Sequence, residues 1–91
     1  NLLISKEVQM NVLLTEYVWR RIHPEVRGAV LKVLRKSAVI GRRADEVIDD
    51  LRALGEHEAA GSLRNDLEYI LLFKEKFGVW PPPVIVVVFP D

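Results

Sequence analysis

The sequence predicts a mainly α-helical protein, a four-helix bundle-like domain with a C-terminal extended β segment. Apolar residues recur at helical spacing through most of the 91-residue chain. An unbroken apolar, β-branched run at residues 84–89 follows directly after Trp80 and three prolines. Such a run is typical of a strand buried on both faces. We therefore expect a helical bundle domain at residues 1–78 and, at residues 79–91, a proline-rich spacer that holds an extended strand clear of the bundle.

The first two helices are predicted at about residues 5–22 and 24–37. Ser5 suits the N-cap of the first helix. His23 separates the two, because the residue before a proline is disfavoured in helical geometry, and Pro24 suits the first helical position. The first helix is apolar on two sides, which predicts burial on two sides or contact with a partner. One side has Met10, Leu14, Tyr17 and Val18, and the other has Val8, Val12 and Trp19.

The third and fourth helices are predicted at residues 43–54 and about 56–77. The third has a regular apolar face, and Gly55 suits the position after its end. Gly78 ends the fourth helix, within which Gly61 and Ser62 mark a candidate break. Short connections favour a bundle of neighbouring helices. The apolar faces comprise Ala44, Val47, Ile48, Leu51 and Leu54 in the third helix and Leu63, Leu67, Ile70, Leu71 and Phe77 in the fourth.

Charge is segregated along a chain whose net charge is zero. Residues 20–43 contain eight basic residues and one glutamate, whereas residues 45–68 contain eight acidic residues and two arginines. The two halves either neutralise each other within one bundle or form complementary faces that meet between copies. The residues expected to orient such a contact are Arg35, Lys36, Arg42 and Arg43 against Asp45, Glu46, Asp49 and Asp50.

Nucleic-acid or anion binding by the basic stretch at residues 20–43 is a further interpretation. It is not favoured, because the stretch lacks a glycine-rich loop and a recognisable reading motif. The sequence also contains no cysteine, which excludes disulfides and thiol chemistry. It contains no apolar run of about 20 residues, so no membrane partner is expected. The lack of cysteines and of a targeting segment favours a soluble, cytoplasmic protein.

No catalytic, cofactor-binding or metal-binding pattern stands out. Gly61 occupies the position where a zinc motif beginning at His57 needs its second histidine. His23 is interpreted as a capping or surface histidine, and the acidic residues of the third helix as surface charge. We therefore expect no enzyme activity, no cofactor and no metal.

One pattern comprises Arg43, Ala44, Val47, Ile48, Asp49, Leu51 and Gly55, followed by Ala59, Leu63 and Leu67. It resembles the fourth and fifth helices of caspase-recruitment-type death-fold domains, which are six-helix adaptors that assemble through complementary charged surfaces. It is equally similar to a single tetratricopeptide-like helix pair. The likeness covers about a quarter of the chain and rests on spacing that amphipathic helices share. It therefore identifies no family.

The function predicted is a non-catalytic protein–protein interaction module that forms a dimer or larger homo-oligomer. A lone strand needs a backbone partner, which a second copy can supply. Three alternatives for the run stay open: a strand of a parent α/β domain, an apolar strap along its own bundle, and donation to another protein's sheet. Alternative functions are nucleic-acid or anion binding and a helical accessory region preceding an α/β enzyme domain. The contact residues predicted are Trp19, Trp80, Val84, Ile85, Val86, Val87, Val88 and Phe89.

Overall fold

The computed structural model describes residues 8–84, which are mainly helical. The prediction of a mainly helical chain with four helices is confirmed for these residues, which contain no strand. Residues 85–89 of the predicted strand lie outside the described part of the chain, and Val84 is not in a strand. The α-helices are α1 (Glu16–Trp19), α2 (Pro24–Leu31), α3 (Ala44–Ala53) and α4 (His57–Phe77), with a 3-10 helix at Lys36–Ala38.

Helices α3 and α4 form the framework of the fold. Both have bounds within one residue of those predicted, and α4 continues through Gly61 without a break. Gly55 and Gly78 have positive φ angles of 79° and 75°, the left-handed conformation that glycine adopts freely. The two helices pack on each other, and α2 packs on α4. Their buried side chains are Ala44, Val47, Ile48, Leu51, Ala59, Ala60, Leu63, Leu67 and Ile70.

The prediction that the Leu54 and Phe77 side chains belong to the apolar faces of α3 and α4 is wrong. Both side chains are more than half exposed, at 56% and 58%. Leu54 is the C-cap of α3, where the backbone already leaves the helix, and Phe77 is the last residue of α4. A helical pattern places a residue on a face only while the helix continues and a neighbouring element covers that face.

The predicted long first helix is also wrong, because α1 is a single turn. Residues 8–14 run beside the segment that leads into α3. The Leu14 amide donates to the Arg42 carbonyl at 2.7 Å, and the Ala44 amide donates to the Val12 carbonyl at 2.8 Å. These two bonds form an isolated antiparallel β-bridge between Leu13 and Arg43.

Burial along residues 8–14 alternates with a period of two, as in a strand. Met10 and Leu14 are buried and Val12 is half-buried, whereas Asn11 and Leu13 are exposed. The helix begins only after Thr15, whose Oγ1 accepts a hydrogen bond from the Val18 amide at 3.2 Å. Thr15 is therefore the observed N-cap of α1. The predicted cap, Ser5, lies outside the described residues.

Helix α2 ends at Leu31, six residues earlier than predicted. The chain then becomes extended at Arg35 and enters the 3-10 helix. This early end allows Val39 to reach the core, where it is fully buried. Burial of a valine outweighs the weak preference of a short segment to continue as helix.

Residues 80–84, which follow α4, contact the helical part of the chain. Pro81 is buried and Trp80 is half-buried. The Trp80 ring meets the Tyr17 ring edge-on, with 6.1 Å between centroids and 80° between planes. The Val84 amide donates to the carbonyl of Arg20 at 3.1 Å. As far as Val84, the chain is therefore not held clear of the bundle as predicted for the spacer. The strap alternative concerns residues 84–89, of which 85–89 lie outside the described residues.

Among the helices of residues 8–84, none combines the length and apolar character needed to cross a bilayer.

Candidate association surface

The predicted charged residues mostly pair within one copy of the chain. Arg42 contacts Asp50 at 2.6 Å and Glu46 at 3.6 Å, and Arg43 contacts Asp45 at 3.3 Å and Glu46 at 2.9 Å. The hydrogen bond that the Arg42 guanidinium donates to the Asp50 carboxylate raises the pKa of Arg42 above its ordinary value. Mutual neutralisation within one bundle therefore accounts for these residues.

The remaining charged residues of the prediction lie farther apart on the surface. Lys36 contacts Glu16 at 2.6 Å, and Asp49 contacts Arg52 at 3.6 Å. Arg35 is exposed and has no ion pair within residues 8–84. Since Arg21 is buried and Arg42 is paired, the basic stretch does not form a continuous free basic surface.

The Glu16–Lys36 pair gives a pH-dependent prediction. The hydrogen bond from Lys36 lowers the pKa of Glu16 in the folded chain. The pair therefore contributes stability above the ordinary glutamate pKa, and the contribution is lost as the pH falls through the lowered value. Because both side chains are about half exposed, the effect is small. We expect Glu16→Gln to lower the Tm slightly at pH 7, and the difference from wild type to vanish in acid, in thermal melts followed by circular dichroism.

The matched control is Glu68→Gln, since Glu68 has no ion pair among the described residues. Its Tm difference from wild type should change less with pH than that of Glu16→Gln. Equal pH dependence of the two variants would contradict a stabilising Glu16–Lys36 pair.

A row of three aromatic side chains on the C-terminal half of α4 was not predicted as a site. Tyr69, Phe73 and Phe77 follow one another at intervals of four residues, with ring centroids 6.2 Å and 4.6 Å apart. Tyr69 is 57% and Phe77 58% exposed, and Leu72 on the same half of the helix is 43% exposed. The interval of four was visible in the sequence, but it does not show which side of the helix neighbouring elements cover. We call Tyr69, Phe73 and Phe77 the aromatic row.

A cavity of about 340 Å³ connects the aromatic row to the start of the C-terminal apolar run. Tyr69 lies on one side of it, and Pro81, Pro82 and Val84 lie on another. The run therefore begins next to the row. The cavity is completed by Arg21, His23 and Asp66.

The His23–Asp66 pair at this cavity joins the start of α2 to α4. The Asp66 carboxylate accepts the backbone N–H of His23 at 2.7 Å and lies 2.8 Å from the His23 Nδ1. It thereby satisfies a free donor at a helix start whose own N-cap side chain makes no capping bond. His23 occupies the N-cap position and its side chain is 52% exposed, but it makes no capping hydrogen bond, so of the two interpretations the surface histidine describes it. The two residues are 43 positions apart, so no local pattern indicates their contact.

We expect Asp66→Ala to lower the free energy of unfolding by about 1–3 kcal/mol, because it leaves the His23 amide without its partner. Urea denaturation followed by circular dichroism measures the change. The control is Asp49→Ala, whose carboxylate is 75% exposed and which should stay within about 0.5 kcal/mol of wild type. Equal losses in the two variants would show that Asp66 does not support the start of α2.

The two predicted tryptophans have different surroundings. Trp19 is 3% exposed and belongs to the core, so its role in the fold is packing. Trp80 contacts Tyr17, and the Lys74 ammonium lies 5.5 Å from the centre of its ring. Arg21 also supports this region, since its Nη1 donates to the Tyr17 carbonyl at 2.6 Å. Val84 starts the apolar run, and the predicted contact residues 85–89 lie outside the described part.

Within residues 8–84, no three histidine, aspartate or glutamate side chains converge as a metal site. Comparison with protein-family models, with curated proteins and with solved structures finds no match to this chain.

Proposed function

We propose that this chain is a non-catalytic protein–protein association module that forms homo-oligomers, as a dimer or a larger assembly. The contact surface is the aromatic row together with the apolar run at residues 84–89. The observation that carries the proposal is the exposure of the row, in which two of three neighbouring rings are more than half exposed. Contiguous exposed apolar surface is typical of a contact site, and aromatic residues are enriched in such contacts.

The composition of the run supports a second copy as the partner. Residues 84–89 have no polar residue at any position, so neither face of an extended segment suits water. The Val84 amide already donates to the Arg20 carbonyl, but beyond it an extended segment needs a partner for its backbone N–H and C=O groups. Two copies related by a two-fold axis each supply this partner to the other.

The charged residues have a smaller part in this proposal than in the sequence prediction. Arg42 and Arg43 already contact acidic residues of α3 in the same copy. A contact between copies through these side chains would first have to break the pairs, which gains little at an exposed surface. Arg35 has no such pair among the described residues, but it belongs neither to the aromatic row nor to the apolar run, so this contact does not depend on it.

The test is the mass of the full chain by light scattering and sedimentation velocity. We expect the wild type to be a dimer or larger, and the double substitution Val86→Asp with Val88→Asp to reduce its mass. Phe77→Asp should reduce it as well, since Phe77 belongs to the aromatic row. Charges in an apolar contact weaken association because they lose their hydration. Circular dichroism should show unchanged helix content in both variants.

The matched control is Leu54→Asp. Leu54 is an exposed apolar residue like Phe77, at 56%, but it lies at the opposite end of α4, roughly 30 Å away along a 21-residue helix. It should leave the mass unchanged. A monomeric wild type, or an assembly that survives both the Val86/Val88 and the Phe77 substitutions, would contradict the proposal.

A further inference from the structure

The outward side of α2 is poorly covered by the rest of the chain. Within the helix, Pro24–Leu31, Val30 is the buried residue, and Leu31 and Val33 beside it are 41% and 39% exposed. A helix of eight residues is marginal by itself and depends on the surface it packs against. The exposed side of α2 is therefore a place where additional packing would stabilise the fold.

Gly28 is exposed in the middle of α2 and is not required there by the single chain. Its φ angle is not positive, and a Cβ atom at this position would meet no atom within 4 Å. A glycine inside a helix destabilises it, and no close contact within the described residues requires one here. A second helix that crosses α2 closely would require one, because the distance between packed helices depends on the side chains at the crossing.

A cavity of about 390 Å³ lies along this side of α2, between it and the start of α4. Its apolar lining includes Val26, Ala29 and Val33. Its charged lining includes Lys32 together with three glutamates, and none of these four side chains has an ion pair within the described residues. The surface thus contains unpaired charges of both signs around an apolar centre. The three glutamates are Glu25, Glu56 and Glu58.

We propose that a second copy of this chain docks on this surface, with the two α2 helices antiparallel across a two-fold axis near Ala29. Glu25 lies four residues before Ala29 and Lys32 three residues after it, so all three residues share one face of the helix. In the antiparallel arrangement, Lys32 of each copy lies beside Glu25 of the other. Val26 of each copy lies beside Val33 of the other, just past the end of α2, so these two pairs of residues are complementary across a two-fold axis.

This inference rests on the proposed self-association and gives it a second contact surface. The aromatic row lies on the C-terminal half of α4, and Val84, the first residue of the apolar run, bonds to Arg20, whereas this cavity involves the first turns of α4. Two separate self-complementary surfaces on one chain join dimers into larger assemblies. Each contact is disrupted by its own substitutions, so either can be wrong while the other stands.

The test compares charge-reversed full chains by sedimentation velocity over a range of concentrations. Lys32→Glu and Glu25→Lys should each weaken association by at least about tenfold, because like charges then face each other across the axis. The double variant, with both changes, should associate within about threefold of wild type, because opposite charges face each other again. Gly28→Ala should keep its helix content and associate more weakly.

The matched control is Arg35→Glu, which makes the same charge change as Lys32→Glu at an exposed residue outside the cavity. It should associate like wild type. Association of Lys32→Glu equal to that of Arg35→Glu, or a double variant no better than the single ones, would overturn the α2 contact. So would a wild-type chain that is monomeric at every concentration.

The variant with Val86→Asp and Val88→Asp separates the two proposals. If it remains a dimer that Lys32→Glu then dissociates, the α2 contact is supported independently of the C-terminal run. If it is already a monomer and Lys32→Glu leaves wild-type association unchanged, the α2 contact is wrong and the C-terminal contact stands. If Lys32→Glu alone makes the chain monomeric and the Val86/Val88 variant associates like wild type, the C-terminal contact is wrong.

Discussion

Replacing Trp19 by alanine should lower the free energy of unfolding by about 3–5 kcal/mol, the usual loss for a buried tryptophan. The side chain is 3% exposed and belongs to the core, so truncation leaves a cavity that the surrounding residues refill only in part. A domain of this size is stable by about 5–15 kcal/mol. The substitution therefore removes a large share of the stability. Urea denaturation followed by circular dichroism measures it.

Trp80→Ala is the matched control for Trp19→Ala. Trp80 is half-buried, and its edge-on contact with Tyr17 is worth about 0.5–1.5 kcal/mol beyond the area that it buries. Trp80→Ala should therefore cost clearly less than Trp19→Ala. If Trp19→Ala left stability unchanged and instead altered the mass of the assembly, Trp19 would be a contact residue after all, as the sequence prediction had it.

Helices α3 and α4 were predictable because local preference and burial agree there. Ala44, Val47, Ile48 and Leu51 repeat at helical spacing, and all four are buried in the core. Each of these two helices also ends at a glycine that adopts a left-handed conformation. Where sequence pattern, end signals and tertiary packing favour the same structure, the sequence suffices to predict it.

The candidate surface was less predictable, because exposure is a property of the whole fold. The interval between Tyr69, Phe73 and Phe77 is present in the sequence, but whether a neighbouring element covers these rings depends on the path of the chain after Gly78. That path turns back on α1 through contacts of Trp80 with Tyr17 and of Val84 with Arg20. These contacts join residues more than 60 positions apart, and no local pattern indicates them.

The error in the first helix has a specific cause. Met10 and Leu14 are four residues apart, a spacing that suits one face of a helix and also one face of an extended segment. Val8 and Val12 continue the alternation, but their spacing also suits the second apolar side of a helix. Backbone hydrogen bonds to residues 41–45 hold this segment in the extended conformation. One of them is donated by the Asp45 amide to the Met10 carbonyl at 2.6 Å. Their partners lie about 30 positions away and were invisible in the local sequence.

Replacing Leu14 by alanine should lower the free energy of unfolding by about 2–5 kcal/mol, because this side chain is completely buried. It attaches the extended segment to the core at the residue whose amide also bonds to Arg42. Leu13→Ala is the adjacent control. Leu13 is 52% exposed, so its truncation should cost less than about 1 kcal/mol. Urea denaturation of the two variants measures both losses.

Loss of a buried side chain does not distinguish an extended segment from a helix, because Leu14 would face inward in either. A proline substitution does distinguish them. Inside a helix, proline costs about 3 kcal/mol or more. In the extended segment, the bonds beside Leu13 are made by the Leu14 amide and the Val12 carbonyl, so Leu13→Pro removes neither of them. We expect Leu13→Pro to cost less than about 2 kcal/mol, and Leu14→Pro to cost much more, because it removes both the amide donor and the buried side chain. Equal and large losses of stability in Leu13→Pro and Leu14→Pro would instead support the predicted long first helix. A helix uses the backbone N–H of both residues, whereas the extended segment uses only that of Leu14.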